Sequence, residues 1–257
     1  IDMTMGGLGT IEFDHGNSGN GIAAYDNVLP TAWEEAHGAG LSGGVKTVLG
    51  VGSSDNVQYS LPKFLGTEIA LTYAHDQGTS DTADKSTKSS NTLTNRGYDA
   101  TIKINPSLGT EILSGLNLYA GASVIETANS DIKDLYEGVG AITYALGPVE
   151  VGAMWSGLHD GTPTGVHTYK NHGFGIAFNV NDDFSVSYGE YQSRKAGYED
   201  AETQVSEDNR VVEVTSWQAA YTMGGASFRI ADVKADNVLF VADADQNATV
   251  VSMGLAF

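Results

Sequence analysis

Residues Asn247–Phe257 read NATVVSMGLAF. Counting back from Phe257, alternate positions carry Leu255, Met253, Val251 and Thr249, with Ala256, Gly254, Ser252 and Val250 between them. Successive side chains of a strand point to opposite faces, so the segment predicts a strand with one bulky face and one nearly bare face. A half-buried strand of a soluble protein fits that pattern, and so does a strand whose bulky face meets lipid. The rest of the chain decides between them.

The same period of two recurs throughout. LNLYAGASV sets Leu116, Leu118, Ala120, Ala122 and Val124 against Asn117, Tyr119, Gly121 and Ser123. GFGIAFNV sets Phe174, Ile176, Phe178 and Val180 against Gly173, Gly175, Ala177 and Asn179, and FSVSY and YDATIKIN behave alike. A soluble sandwich shows water a face of Lys, Glu and Thr. Here the second face is largely Gly, Ser and Ala, which suits a crowded or water-filled lumen.

Composition narrows the classes. The 257 residues carry a formal charge of −19, from 32 acidic and 13 basic residues, so nucleic-acid binding is disfavoured. With no Cys there is no disulfide framework, thiolate metal site or cysteine nucleophile. No apolar run approaches the roughly 18 residues of a transmembrane helix, although a membrane barrel needs only alternate apolar residues. The chain opens on Ile1 without a Met or signal peptide, as a processed product or fragment would.

Strands are expected at about 57–63, 67–74, 98–105, 116–127, 135–146, 149–157, 170–180, 184–193, 211–222, 226–236 and 247–257. Their links alternate. FLG, GP, NDD and MGG are tight turns, whereas HDQGTSDTADKSTKSSNTLTNR and AGYEDAETQVSEDNR are long and polar. One turn, PSLGTEILSG, is longer than its place in the alternation suggests. Short turns at one end and long loops at the other mark an outer-membrane barrel, with the bulky face toward lipid. Tyr73, Tyr98, Tyr144 and Trp155 fall on that face, several near strand ends, as interfacial aromatic belts require.

At these residues the chain resembles the trimeric general porins of Gram-negative bacteria, alphaproteobacterial ones especially. The terminal strand with Phe257, Leu255, Met253 and Val251 is similar to the signal read by barrel-assembly machinery. NVQYSLPKFLGTEIALTY resembles the strand–turn–strand after the family's constriction loop. GLGTIEFDHGNSGNGIAAYDNVLPTAWEEAHGAG resembles the fifth strand and the loop that folds into the pore. The resemblance implies one antiparallel transmembrane β-barrel domain over residues 1–257. It would have sixteen strands when intact and about twelve here, IDMTM being the tail of the fourth. The inserted loop would span about residues 16–55. It further implies an outer-membrane homotrimer among lipid and lipopolysaccharide that passes small hydrophilic solutes without a cofactor. A smaller twelve-stranded barrel, enzymatic or autotransporter-like, is the alternative, and a surface adhesin or receptor protein is another.

LPTAWEEAHG within the loop predicts a short helix, with Pro30 at its start and Gly38 at its stop. The resemblance puts Asp26, Glu34 and Glu35 at the constriction. Strand parity adds a lumen wall of Glu12, Asp14, Gln58, Glu68, Asp99, Lys103, Glu137, Glu150 and Arg229, with Lys234 near the outer rim. The excess of acids predicts a cation-preferring pore. The six His residues lack metal-ligand spacing, HGNSGNG is no nucleophile elbow, and LGVGSSD lacks the third glycine of a dinucleotide fingerprint. YEDAETQVSEDN could gather a divalent cation through oxygen ligands but lacks the order of a calcium loop; a solvated run is the plainer expectation.

Overall fold

The computed structural model describes residues 1–15, 19–52, 54–75, 94–106, 111–127, 133–159, 165–198 and 210–255. Alternating sequence becomes thirteen antiparallel strands, each paired with the next along the chain. They are β1 (Asp2–Thr4), β2 (Thr10–His15), β3 (Asp55–Ser60), β4 (Thr67–Ala74), β5 (Thr94–Ile104), β6 (Leu116–Thr127) and β7 (Leu135–Leu146). There follow β8 (Val149–His159), β9 (Gly165–Asn179), β10 (Phe184–Tyr198), β11 (Val211–Met223), β12 (Ala226–Asp236) and β13 (Gln246–Leu255). β1 and β13 are the edges of the described sheet, which does not close on itself. From β3 onward there are eleven strands, matching the expected set.

Turn chemistry follows the glycines. Met223 pairs with Ala226 across Gly224 and Gly225, at φ +54° and +92°. A two-residue hairpin of the kind that needs positive φ at both central positions results. The long turn between β5 and β6 holds a single helical turn, α1 (Glu111–Ser114). Among the described residues no helix is long and apolar enough to cross a membrane.

The two faces of the sheet separate as the alternation predicts. Trp155, Trp217 and Val251 stand 57%, 66% and 72% exposed on the outer face, in line with Leu71, Phe174, Ile230, Met253 and Leu255. Outer aromatics pair across strands, Tyr73 with Tyr98 at 5.3 Å and Tyr188 with Trp217 at 4.8 Å between ring centroids. Phe257 lies outside the described residues. The inner face carries the buried core, built with the segment between β2 and β3 and with the β12–β13 link. Ile22, Leu29, Ala36 and Val48 of the first pack with Val212, Val214, Val233 and Ala235 of the wall and with Val238 and Phe240 of the second. Fully burying a side chain of the size of Ile22 or Val48 contributes about 1.5–3 kcal/mol, so the inserted segment is held by packing along its length.

Candidate pore constriction

The bare inner face is bare because the inserted loop lies on it. A Cβ on Gly121 would meet Ile22 at 2.8 Å, on Gly152 the Pro30 ring at 2.6 Å, on Gly173 Leu29 at 2.7 Å and on Gly175 the Pro30 carbonyl at 2.7 Å. Contacts under 3 Å force something to shift, so glycine at these positions makes the bed on which the loop rests. Of the two readings of that face, crowded and water-filled, this stretch is crowded.

Polar wall residues then fix the loop's backbone. Asp99, 3% exposed, accepts from the Ile22 N–H at 2.9 Å and the Val51 N–H at 3.2 Å through the same oxygen. One carboxylate thereby joins the two ends of the loop. Gly21 and Gly50 precede those donors at φ +66° and +52°, and a Cβ on either would fall about 2 Å from the Asp99 carboxylate. Glu137 accepts from the Leu49 and Gly50 N–H groups at 2.9 and 2.6 Å. Gln58 accepts from the Gly21 N–H at 3.0 Å and the Thr72 hydroxyl at 2.9 Å. Farther along, the Ala32 N–H donates to the Ser187 hydroxyl at 2.8 Å. Gln218 grips Glu34 twice, accepting from its N–H at 3.0 Å and donating to its carbonyl at 2.6 Å. Asn171 donates to the Lys46 carbonyl at 2.6 Å.

These bonds explain a departure from the sequence reading. Residues 30–38 form bends and a turn, and among the loop's described residues the one short helix is a 3-10 segment at Gly21–Tyr25. Gln218 takes the Glu34 N–H, which a helix starting at Pro30 would have bonded internally, and Ser187 takes the Ala32 N–H, one of the first-turn donors that such a helix leaves open.

The sequence matches the Gram-negative porin family over residues 2–207. The chain belongs to that family. The strands and the loop on their inner face are thus those of an outer-membrane barrel of a Gram-negative bacterium. Among solved structures, the anion-selective porin of Comamonas acidovorans matches with TM-score 0.64 and 13% identity, covering 98% of this chain and 75% of its own. A porin refined at 1.8 Å gives 0.61 and 14%, covering 98% and 79%. The outer membrane channel DcaP of Acinetobacter baumannii gives 0.57 and 12%, covering 96% and 69%. At such identities the likeness speaks for the fold alone. Curated protein sequences yield no significant match.

Within this porin the three loop acids are not equivalent. Glu34 is exposed, whereas Glu35 is 8% exposed against the wall and Asp26 is partly buried. Burial pushes the Glu35 carboxyl up to about 7, helped by the nearby charges of Glu34 and Asp26. Burial likewise raises Asp26 to about 6. His37 stacks on Tyr191 with ring centroids 4.4 Å apart, and its burial lowers it to about 4.

The remaining wall residues divide. Gln58, Asp99 and Glu137 are anchors of the loop. Glu68 pairs with Lys63 at 2.7 Å. Lys103 lies 5.5 Å from the Tyr119 ring centroid, itself edge-on to Tyr25 of the loop at 5.2 Å. Arg229 lines a 190 Å³ pocket with Ala32, Asp183 and Ser185. Glu12, Asp14 and Glu150 are partly buried on the wall. Lys234 corrects the sequence reading: it alternates with buried Val233 and Ala235 and so projects outward, opposite to Arg229. YEDAETQVSEDN falls mostly outside the described residues.

Two features escaped the sequence reading. Ser187, Gln218 and Asn171 look like ordinary wetted wall residues until the loop's backbone is placed beside them. The β12–β13 link also turns inward, and Val238 and Phe240 are buried. Its signal was available: VLFV is apolar where the link should be polar. Asn237, Leu239, Phe240 and Asp243 all have positive φ, between +54° and +61°. Bonds such as that from the Leu239 N–H to the Gly43 carbonyl, 2.8 Å, hold that strained path.

Proposed function

We propose that this porin is a passive, cation-preferring diffusion channel for small hydrophilic solutes, narrowed by the loop between β2 and β3 and working as a homotrimer. The observation that carries this reading is the loop itself, stapled along the inner wall with Glu34 turned to the open side. Transport then needs no covalent step and no cofactor: the lumen keeps water continuous while the loop sets size and charge. Asp26, Glu34 and Glu35 concentrate cations near the constriction, with screening over about 10 Å at 0.1 M salt. Outward-facing Val251, Met253 and Leu255 of β13 suit contact with lipid, and with Phe257 they suit a terminal strand read during assembly. No observation favours an enzyme or an adhesin over this reading.

Glu34→Gln tests the charge filter. The reversal potential of the intact protein under a KCl gradient should shift toward anions, with the conductance changing little, because the Gln218 bonds use the Glu34 backbone and survive the substitution. An unchanged reversal potential removes Glu34 from the filter.

Cation preference should also depend on pH. Glu35 and Asp26 ionise at about 7 and about 6, so the loop gains negative charge as pH rises from 5 to 8. Both values lie above those of the unpacked groups. The docked loop therefore holds extra protons between about pH 4 and 7, and its packing weakens as pH rises through that range. His37 acts oppositely: its contribution is complete above its ordinary value of 6.5 and is lost as pH falls toward 4. Reversal potentials recorded from pH 5 to 8 should move steadily toward cations, and Glu35→Gln should remove the upper part of that rise. A flat profile would rule out both carboxyls as contributors.

A further inference from the structure

On the short-turn side of the constriction loop, the inner face holds a pocket of 190 Å³. Ala32 of the loop borders it, and the wall contributes Asn179, Asp183, Ser185, Ser227 and Arg229. Strand parity fixes their direction. Ser185 stands two positions before buried Ser187, and Arg229 two before buried Ala231, so both face inward. Asp183 continues the series of Ser185, because its carbonyl accepts from the Thr222 N–H at 2.8 Å and extends the β10–β11 pairing. Asn181 secures the turn, its side-chain oxygen accepting from the Asp183 and Phe184 N–H groups at 2.9 Å each.

The pocket carries opposite charges at its two ends. Arg229 lies between Ala220 on β11 and Ser252 on β13, so neither cross-strand neighbour offers a carboxylate. Asp182 and Asp183 line the same pocket from the β9–β10 turn. Among the described residues, neither Arg229 nor either aspartate makes an ion pair. Two strand spacings of about 4.8 Å each separate Asp183 from β12. The Arg229 side chain is long enough to narrow that gap to the span of a small solute. The two ends thus share one cavity without neutralising each other, and Asn179, Ser185 and Ser227 add amide and hydroxyl groups to it.

We propose that this pocket binds small zwitterions, free α-amino acids by chemical class, with the carboxylate at Arg229 and the ammonium at Asp182 and Asp183. The site deepens the reading of the protein as a diffusion channel and rests on it, because it places a solute subsite on the lumen side. A planar guanidinium donates paired bonds to a carboxylate, and the aspartates accept from an ammonium. Solutes of a single charge fit less well, since the aspartates repel an anion and Arg229 repels a cation. The volume lies below the roughly 300 Å³ at which small-molecule pockets usually begin, which favours amino acids with small side chains. A solute without net charge also passes the acids of the loop without net repulsion.

L-Alanine is the probe, with propionate and ethylamine as its one-charge counterparts. Saturation-transfer NMR on the intact protein in detergent micelles, at about 0.01 M salt where screening is weak, should show saturable alanine binding. Both counterparts should bind more weakly. Arg229→Gln, and separately Asp182→Asn with Asp183→Asn, should each weaken alanine binding about threefold or more. Exchanging the charges, Arg229→Asp with Asp182→Asn and Asp183→Arg, should restore it, because a zwitterion can bind in the reverse orientation. A merely structural contribution would not be rescued in this way, and unfolding transitions like that of the unmodified protein show that the variants fold. The site is overturned by absence of saturable binding in the unmodified protein, by equal binding in the charge-removing variants, or by propionate binding as well as alanine. Binding that follows the charges supports the site even where planar bilayers show no conductance, a result that would refute only the channel reading.

Discussion

Asp99→Ala is expected to free the constriction loop at both ends and to raise single-channel conductance, with open-channel noise well above that of the unmodified porin. The substitution removes the acceptor shared by the Ile22 and Val51 N–H groups, both deep in the wall–loop contact. A buried donor left without a partner costs about 1–3 kcal/mol, so two of them weaken docking by roughly 2–6 kcal/mol. Gly21 and Gly50 keep left-handed conformations suited to a carboxylate that is no longer there. Asp99→Asn should fall between, because the amide keeps one acceptor oxygen but turns an NH2 group toward two donors. Conductance and noise identical to the unmodified channel would show that Asp99 does not clasp the loop.

The second large effect contrasts neighbours on β9. Ile176→Arg places a charge on the lipid face and should cost about 2–4 kcal/mol if the site lies near the bilayer midplane. It should appear as a lower unfolding midpoint in urea and less heat-resistant folded protein on gels. Gly175→Arg should leave the outer face intact, but its side chain must displace Pro30, whose carbonyl lies 2.7 Å from where the Cβ would stand. Strand parity by itself assigns Gly175 to the inner face, where a charge would mainly alter conductance. The structure adds the route, which is expulsion of the loop from its bed. Equal losses of barrel stability at the two positions would point to a solid core around β9.

Much of this was legible in the chain because strands write themselves with period two. NATVVSMGLAF and GFGIAFNV each assign every side chain to a face, and over the described residues of β9 and β13 the faces came out as read. Tight turns were equally plain, since Gly224 and Gly225 carry the φ values that a two-residue hairpin requires. The loop was harder. LPTAWEEAHG has helical local chemistry, yet its conformation is set by Ser187 and Gln218, which stand about 150 to 190 residues away in sequence. Strand parity placed Asp99 and Glu137 on the inner face but could not tell a charge bathing in water from one accepting backbone N–H bonds. Glu34 and Glu35 look alike as adjacent letters, and only the packed loop separates an exposed carboxylate from a buried one.

The central claim, that this chain builds a water-filled pore whose width and charge are set by the loop between β2 and β3, is tested most directly by planar-bilayer recording of the intact protein under a KCl gradient, beside Asp99→Ala. The account predicts stepwise conductance with a cation-side reversal potential in the unmodified channel, and larger, noisier, less selective steps in the variant. Absence of conductance from correctly folded protein, or variant steps of unchanged size and selectivity, would contradict it.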